Sequence, residues 1–396
     1  MQTASSFNTS PDTAAALSHA YADLENKLGG APTWMAVHCT EQHPGEVIVA
    51  TLQNIAPGVP FQGGTSCLGL MTETGFHSEN GMALGLFGIR DPEGTYGTGY
   101  AEIETYPRWA GQDAILNALR SAAKDTPPAV VWITCPPGNE EEILAGISEG
   151  LGGANAPIIG GSSADNAVEG RWYQITNGTV MRNGITITAM YPSKRIHYAF
   201  DNSYTPTAQQ GIITSVSGRD VHEINHRPAA EIYNEWTGGV ITDYMGGGNI
   251  LAPSTLYPLG REAEWTRGLT FFQLSHPEAV LEDGSIKLFT NAANGDTVCL
   301  MENSVEGLVS RVDRVTSKAL ASISDPQTQV AGALIIYCAG CLMAVQQEVE
   351  TVVNGFQAAL NGQPFLGIHT FGEQGSAVLG DTVHANLMMS IIVFEH

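Results

Sequence analysis

Cations are scarce in this 396-residue chain: 17 Lys and Arg stand against 40 Asp and Glu, a formal charge of −23. That shortage argues against nucleic acid, whose phosphates must be neutralised, and against an anionic membrane surface for the same reason. No run approaches the roughly 18 apolar residues that cross a bilayer. Met1-Gln2-Thr3-Ala4-Ser5-Ser6 lacks the basic and apolar regions of a signal peptide, so a cytoplasmic protein is expected. Six cysteines, at 39, 67, 135, 299, 338 and 341, are too few for a disulfide framework in so long a chain and are expected as thiols. The glycine-rich stretches contain neither GxGxxG nor a Walker lysine, and no GxSxG elbow is present. Nucleotide binding and serine hydrolysis thus have no fingerprint.

What is present is enough to fold. Hydrophobic residues make up 43% and charged residues only 14%, which implies a sizeable core, and 45 Gly with 20 Pro imply many tight turns. Residues 11–28 read as an opening helix with Ser10 as cap and Pro11 at the first helical position. A strand–helix–strand pattern then recurs three times. Its strands end in Cys39, Cys135 and Cys338, and the chain re-enters at Pro60, Pro157 and Pro364, spacings of 21, 22 and 26 residues. The helices are expected at 46–55, 140–151 and 344–360. Asn-Gly pairs at 80–81, 177–178 and 183–184 mark hairpins between the units. The expected fold is α/β, or α+β: mixed sheets with outer helices, in two similar-sized halves divided at the polar break Tyr191-Pro192-Ser193-Lys194-Arg195, hence 1–192 and 193–396.

Several motifs can carry chemistry. His222-Glu223-Ile224-Asn225-His226 is a formal HExxH, but it falls where the pattern predicts a strand, in which the two His would stand about 13 Å apart, too far to share one ion. Cys338-Ala339-Gly340-Cys341 is a CxxC at a strand end, suited either to a redox dithiol or to small buried residues at a turn. The turns containing Gly64, Thr65 and Ser66, and Gly161, Ser162 and Ser163, offer N–H groups and hydroxyls to a carboxylate, or simply need glycine to turn. Glu373 and His384, on neighbouring loop and strand ends, form an acid/base pair, a ligand clamp, or loop caps. Haem requires one imidazole in an apolar pocket, and the covalent CxxCH attachment is absent because Leu342 follows Cys341.

The sequence as a whole is similar to a known family. Glu223-Ile224-Asn225-His226-Arg227-Pro228-Ala229, Tyr257-Pro258-Leu259-Gly260, Asp283-Gly284-Ser285-Ile286, Pro364-Phe365-Leu366-Gly367, Thr370-Phe371-Gly372-Glu373-Gln374-Gly375 and His384-Ala385-Asn386-Leu387 resemble the FIST C domain. The N-terminal half, with its two Gly-Gly turns, resembles the FIST N domain. The resemblance implies a sensory domain for small ligands, amino acids among them, and no enzyme. A stand-alone chain is similar to the nitric-oxide-sensing NosP branch, which binds haem and regulates a histidine kinase or a cyclic-di-GMP enzyme. On that resemblance a single axial ligand is expected among His226, His369 and His384. The cofactor or ligand contacts are expected among Gly64, Thr65, Ser66, Gly161, Ser162, Ser163, Cys338 and Glu373. A sensor of a small metabolite without haem is the alternative. In either case an acidic ligand must find its countercharge among few cations, of which Arg171, Arg195, Arg227 and Arg267 lie near predicted strand ends.

Overall fold

Trp34–Cys39, Val130–Cys135 and Val330–Cys338 are strands buried along nearly their whole length, as their unbroken apolar runs require. The computed structural model in which they are seen describes residues 1–266, 269–325, 327–376 and 382–396. Each strand is followed by helix and then by a parallel partner. Gly45–Ile55 leads to Phe61–Thr65, Glu140–Gly150 to Ile158–Ser162, and Ala339–Ala344 with Val349–Ala359 to Phe365–Thr370. The register is the same in all three, pairing Cys39 with Thr65, Cys135 with Ser162 and Cys338 with Thr370.

Each unit is the centre of its own six-stranded sheet, and each sheet is completed by strands borrowed from elsewhere in the chain. The hairpin after the first return strand, Leu70–Thr72 and Gly75–His77, joins the third sheet. The hairpin after the second, Gln174–Thr176 and Thr179–Met181, joins the first. The hairpin after the third, Glu373–Ser376 and Thr382–Ala385, joins the second. The exchange is cyclic, so the three sheets form a pseudo-threefold arrangement.

Side-chain alternation along the strands explains how the sheets meet. Trp34 and Ala36, Val130 and Trp132, and Leu334 and Ile336 point into one shared central core. The intervening Met35 and Val37, Val131 and Ile133, and Ala333 and Ile335 face outward under the helices in three separate clusters. Residues 205–302 leave this frame between strand Ile196–Asp201 and helix Val305–Leu320 to build a mostly antiparallel sheet with its own core, including Ile213, Val221, Tyr233, Ile286 and Leu300.

Local differences from the sequence reading have clear causes. The opening helix starts at Thr13, because Asp12 rather than Ser10 caps it by accepting the Ala15 N–H at 3.0 Å. The third-unit helix is broken, with Ala339–Ala344 beginning directly after Cys338 instead of at 344. Strand Gln2–Asn8 and helix Pro107–Ala122 went unpredicted. No helix among the described residues is long and apolar enough to cross a membrane.

Candidate functional site

The two Gly-Gly turns lie where the sheets meet, and their amides are already spent. Thr65 N–H donates to Tyr173 O and Ser66 N–H to Cys39 O, while Ser162 N–H donates to Gly372 O and Ser163 N–H to Cys135 O. The anion cradle expected at Gly64, Thr65, Ser66, Gly161, Ser162 and Ser163 is therefore not formed. Glycine is needed for close approach instead: a Cβ on Gly64 would lie 2.6 Å from Ser163 Oγ, and one on Gly161 would lie 2.4 Å from Thr370 Cγ2.

The three histidines separate widely. His226 is exposed on a turn at φ 61°, just past the strand Asp220–Ile224 that carries His222, which confirms that the HExxH match is not a helical metal pair. His384 is buried with both nitrogens engaged: Nδ1 with Gln374 at 3.4 Å, Nε2 with Phe289 O at 3.2 Å and, at 3.8 Å, Glu140 Oε1. Neither fits as an axial haem ligand. His369 fits better, since Nδ1 lies 3.1 and 3.0 Å from the carbonyls of Cys67 and Gly69 and Nε2 has no partner among the described residues. Its ring packs against Phe76 and Tyr337 at centroid distances of 5.9 and 6.3 Å, and burial pulls it down to about 4, so it is neutral near pH 7.

Glu140 opens the second-unit helix and ties the second sheet to the inserted sheet. It accepts from Arg219 at 2.8 Å and from Ser162 Oγ at 2.9 Å. Burial would raise its pKa, but the charges of His384 and Arg219, with the Arg219 hydrogen bond, hold it below the ordinary carboxylate value. His384 therefore pairs with Glu140, whereas the acid near it in sequence, Glu373, faces elsewhere. Glu373 accepts from Thr370 Oγ1 at 2.8 Å and Met388 N–H at 3.0 Å, and burial raises it.

Beside Thr370 and Cys338 lies a tight cleft of about 20 Å³, room for about one water. Leu251, Phe289, Phe371 and Met343 supply its apolar wall, and His276 and Asn386 its polar groups. Asn386 decides its character. Its Oδ1 accepts the His276 backbone N–H at 3.1 Å, which fixes the amide orientation, and leaves Nδ2 as a donor with no partner among the described residues, in a side chain only 1% exposed. His276 Nε2 bonds Leu251 O at 3.0 Å, and burial pulls the ring down to about 4. Among the described residues no charged side chain lines the cleft. Arg171 pairs with Glu41 and Glu169, Arg227 with Glu231 and Glu235, and Arg195 borders a different groove; Arg267 lies outside the described residues.

Asn386 was visible only as part of a motif, because nothing in sequence shows that its amide lacks a partner. Arg311 did carry a signal: it occupies the same helical stripe as Leu308, Val312 and Val315, where a cation is out of place.

Residues 33–227 match the FIST N domain and residues 229–376 the FIST C domain. The chain belongs to the FIST family. The FIST domains are small-ligand-sensing domains of signal transduction, which sets the coarse function of this chain. An uncharacterised protein of Methanocaldococcus jannaschii is 28% identical over 97 residues, covering 24% of the FIST chain and 18% of its own length. Among solved structures, a cyanuric acid hydrolase from A. caulinodans aligns over 100% of the chain and 99% of its own, at TM-score 0.41 and 9% identity. A chorismatase aligns over 100% and 98%, at TM-score 0.36 and 10% identity.

Proposed function

We propose that this FIST protein senses a small, uncharged, largely apolar molecule with one hydrogen-bond acceptor, held in the cleft between the third unit and the inserted sheet. The supporting observation is the orphaned Asn386 Nδ2. A buried amide donor without a partner costs roughly 1–3 kcal/mol, which a ligand carbonyl or hydroxyl would recover. At about 20 Å³ the cleft is far below the volume of ligand sites, so a ligand enters only as its apolar wall side chains move aside. An uncharged lining penalises an isolated carboxylate, so free amino acids are the weaker candidates. The ligand is bound and not turned over. Its output passes to a partner protein, a histidine kinase or a cyclic-di-GMP enzyme by analogy with the NosP branch.

One observation favours a second reading, with haem as cofactor and NO as signal. The His369 imidazole, with Nδ1 on carbonyls and Nε2 free, is oriented as metal-bound imidazoles are. Haem would supply an iron that takes a diatomic gas. Against it, His369 projects from the strand on the face opposite Thr370, away from the cleft, into packed side chains.

A thermal-shift panel of uncharged carbonyl and hydroxyl metabolites beside free amino acids tests the first reading. A ligand at about 100 times its Kd adds roughly 2.7 kcal/mol, a shift of a few degrees. Shifts confined to uncharged compounds are expected. A Soret band in the protein with added haemin, moved by NO and lost in His369→Ala, would replace this reading with the second.

A further inference from the structure

The helix Val305–Leu320 packs on Ile196–Asp201, the edge strand of the third sheet, and Lys318 in its last turn pairs with Asp201. His197 stands opposite Val393 of the strand Met389–Glu395, and alternation brings Glu395 to the same face two residues on. Ser322, just past the helix end, meets the imidazole from its other side. His197 Nε2 lies 2.8 Å from Glu395 Oε1, and Nδ1 lies 2.6 Å from Ser322 Oγ. A carboxylate only accepts, so Nε2 carries the proton of the neutral ring and Nδ1 presents its lone pair to the hydroxyl. Ser322 Oγ is also 2.7 Å from Ala319 O, so two acceptors share its proton, and of the two only the imidazole can take it.

A hydroxyl beside a base that a third group holds in orientation is the arrangement that activates serine for acyl transfer. It is recognised by geometry, and three elements remote in sequence assemble it here, so no local motif marks it. The ring is buried while Ser322 is exposed on a groove of about 780 Å³, a volume suited to a small molecule. Pro192, Ile196 and Tyr198 give the groove an apolar wall, and Lys194 and Arg195 border it as exposed cations. In a chain of net charge −23, two adjacent cations beside an apolar wall favour an anionic substrate.

We propose that Ser322, His197 and Glu395 form a hydrolytic relay that cleaves small esters with an apolar body and an anionic group. Ser322 is the nucleophile, His197 the general base and then acid, and Glu395 a positioning residue that fixes the ring. Ser322 Oγ bonds the ester carbonyl carbon as its proton passes to His197 Nδ1. The oxyanion so formed lies in the positive field of Lys194 and Arg195. The bond to the leaving oxygen then breaks, and that oxygen takes the proton from Nδ1 and departs as the alcohol. Water next gives a proton to Nδ1 and its oxygen bonds the acyl carbon. The bond from that carbon to Oγ breaks, and Oγ recovers the proton. Ester and water thereby become acid and alcohol, with the protein unchanged. The groove shares no residue with the Asn386 cleft, so the assignment holds whatever ligand the cleft takes.

The test follows hydrolysis of mono-(4-nitrophenyl) glutarate and 4-nitrophenyl butyrate by the full chain, with mass spectrometry of protein quenched during the first turnover. An acyl group on Ser322 and turnover of both esters are expected, with the glutarate ester preferred about two- to fivefold, the worth of an exposed charge pair. Ser322→Ala, at an exposed position, should keep the wild-type melting temperature, lose the acyl adduct and lower kcat about 100-fold or more. Glu395→Gln should lower kcat about 100-fold with KM unchanged, a split that loss of a merely structural ion pair would not produce. Lys194→Ala combined with Arg195→Ala should equalise the two esters. Absence of an adduct, an adduct on another residue, wild-type turnover in Ser322→Ala, or wild-type kcat in Glu395→Gln would overturn the proposal.

Discussion

At Gly63 an added Cβ would sit 1.7 Å from Val37 O, and at Gly160 one would sit 1.9 Å from Ile133 O. The two glycines hold the same register position in their units, each opposite the outward-facing residue of the partner strand. Gly63→Ala and Gly160→Ala are expected to cost about 3 kcal/mol or more, in the range of severe overpacking. Gly246→Ala, with nothing within 4 Å, should be near neutral. Urea midpoints for the three variants check this, and a wild-type midpoint for Gly160→Ala would contradict the close approach. Sequence marked the Gly-Gly returns but left open whether they cradle a ligand or simply need glycine, because an N–H held by a neighbouring strand looks the same in sequence as a free one.

The helix Glu140–Gly150 begins with a buried acid, and the network around it joins elements remote in sequence. Sequence marked His384 as a candidate and read Glu140 only as a helix start, since the pairing exists only after the second and third units exchange strands. Glu140 ionises more readily in the folded chain than at its unfolded value of about 4.3. Its carboxylate thus contributes stability in full above about pH 5, and the contribution is lost as pH falls through the lowered folded value. Glu140→Gln leaves Arg219 still paired with Glu141 at 2.8 Å and should cost about 1.5–3 kcal/mol at pH 7, the worth of a charged hydrogen bond. The gap to wild type should narrow toward pH 3, followed by denaturant melts across that range; a gap independent of pH would contradict the network.

Over the whole molecule, the three strand–helix–strand units were readable from buried strands ending in Cys39, Cys135 and Cys338 at regular distance from Pro60, Pro157 and Pro364. The exchange of hairpins was not, because short strands such as Leu70–Thr72 have too few residues to show which sheet they join. Cutting at the polar break would leave residues 1–192 with that hairpin and no third sheet, and a second sheet lacking Glu373–Ser376 and Thr382–Ala385. Each half alone should fail to melt cooperatively, and the two co-expressed should purify as one complex. A cooperatively melting 1–192 fragment would contradict strand exchange as the basis of the fold. The third unit's own strand pairing sets Thr370 beside Cys338, and Asn386, just past the exchanged hairpin, joins them beneath the inserted sheet, where the ligand is placed. The most direct measurement of that placement is the thermal shift of wild type and Asn386→Leu against the same panel of uncharged metabolites. The account predicts a shift of a few degrees in wild type that is lost or weakened about tenfold in affinity in Asn386→Leu. Equal shifts in both proteins would contradict it.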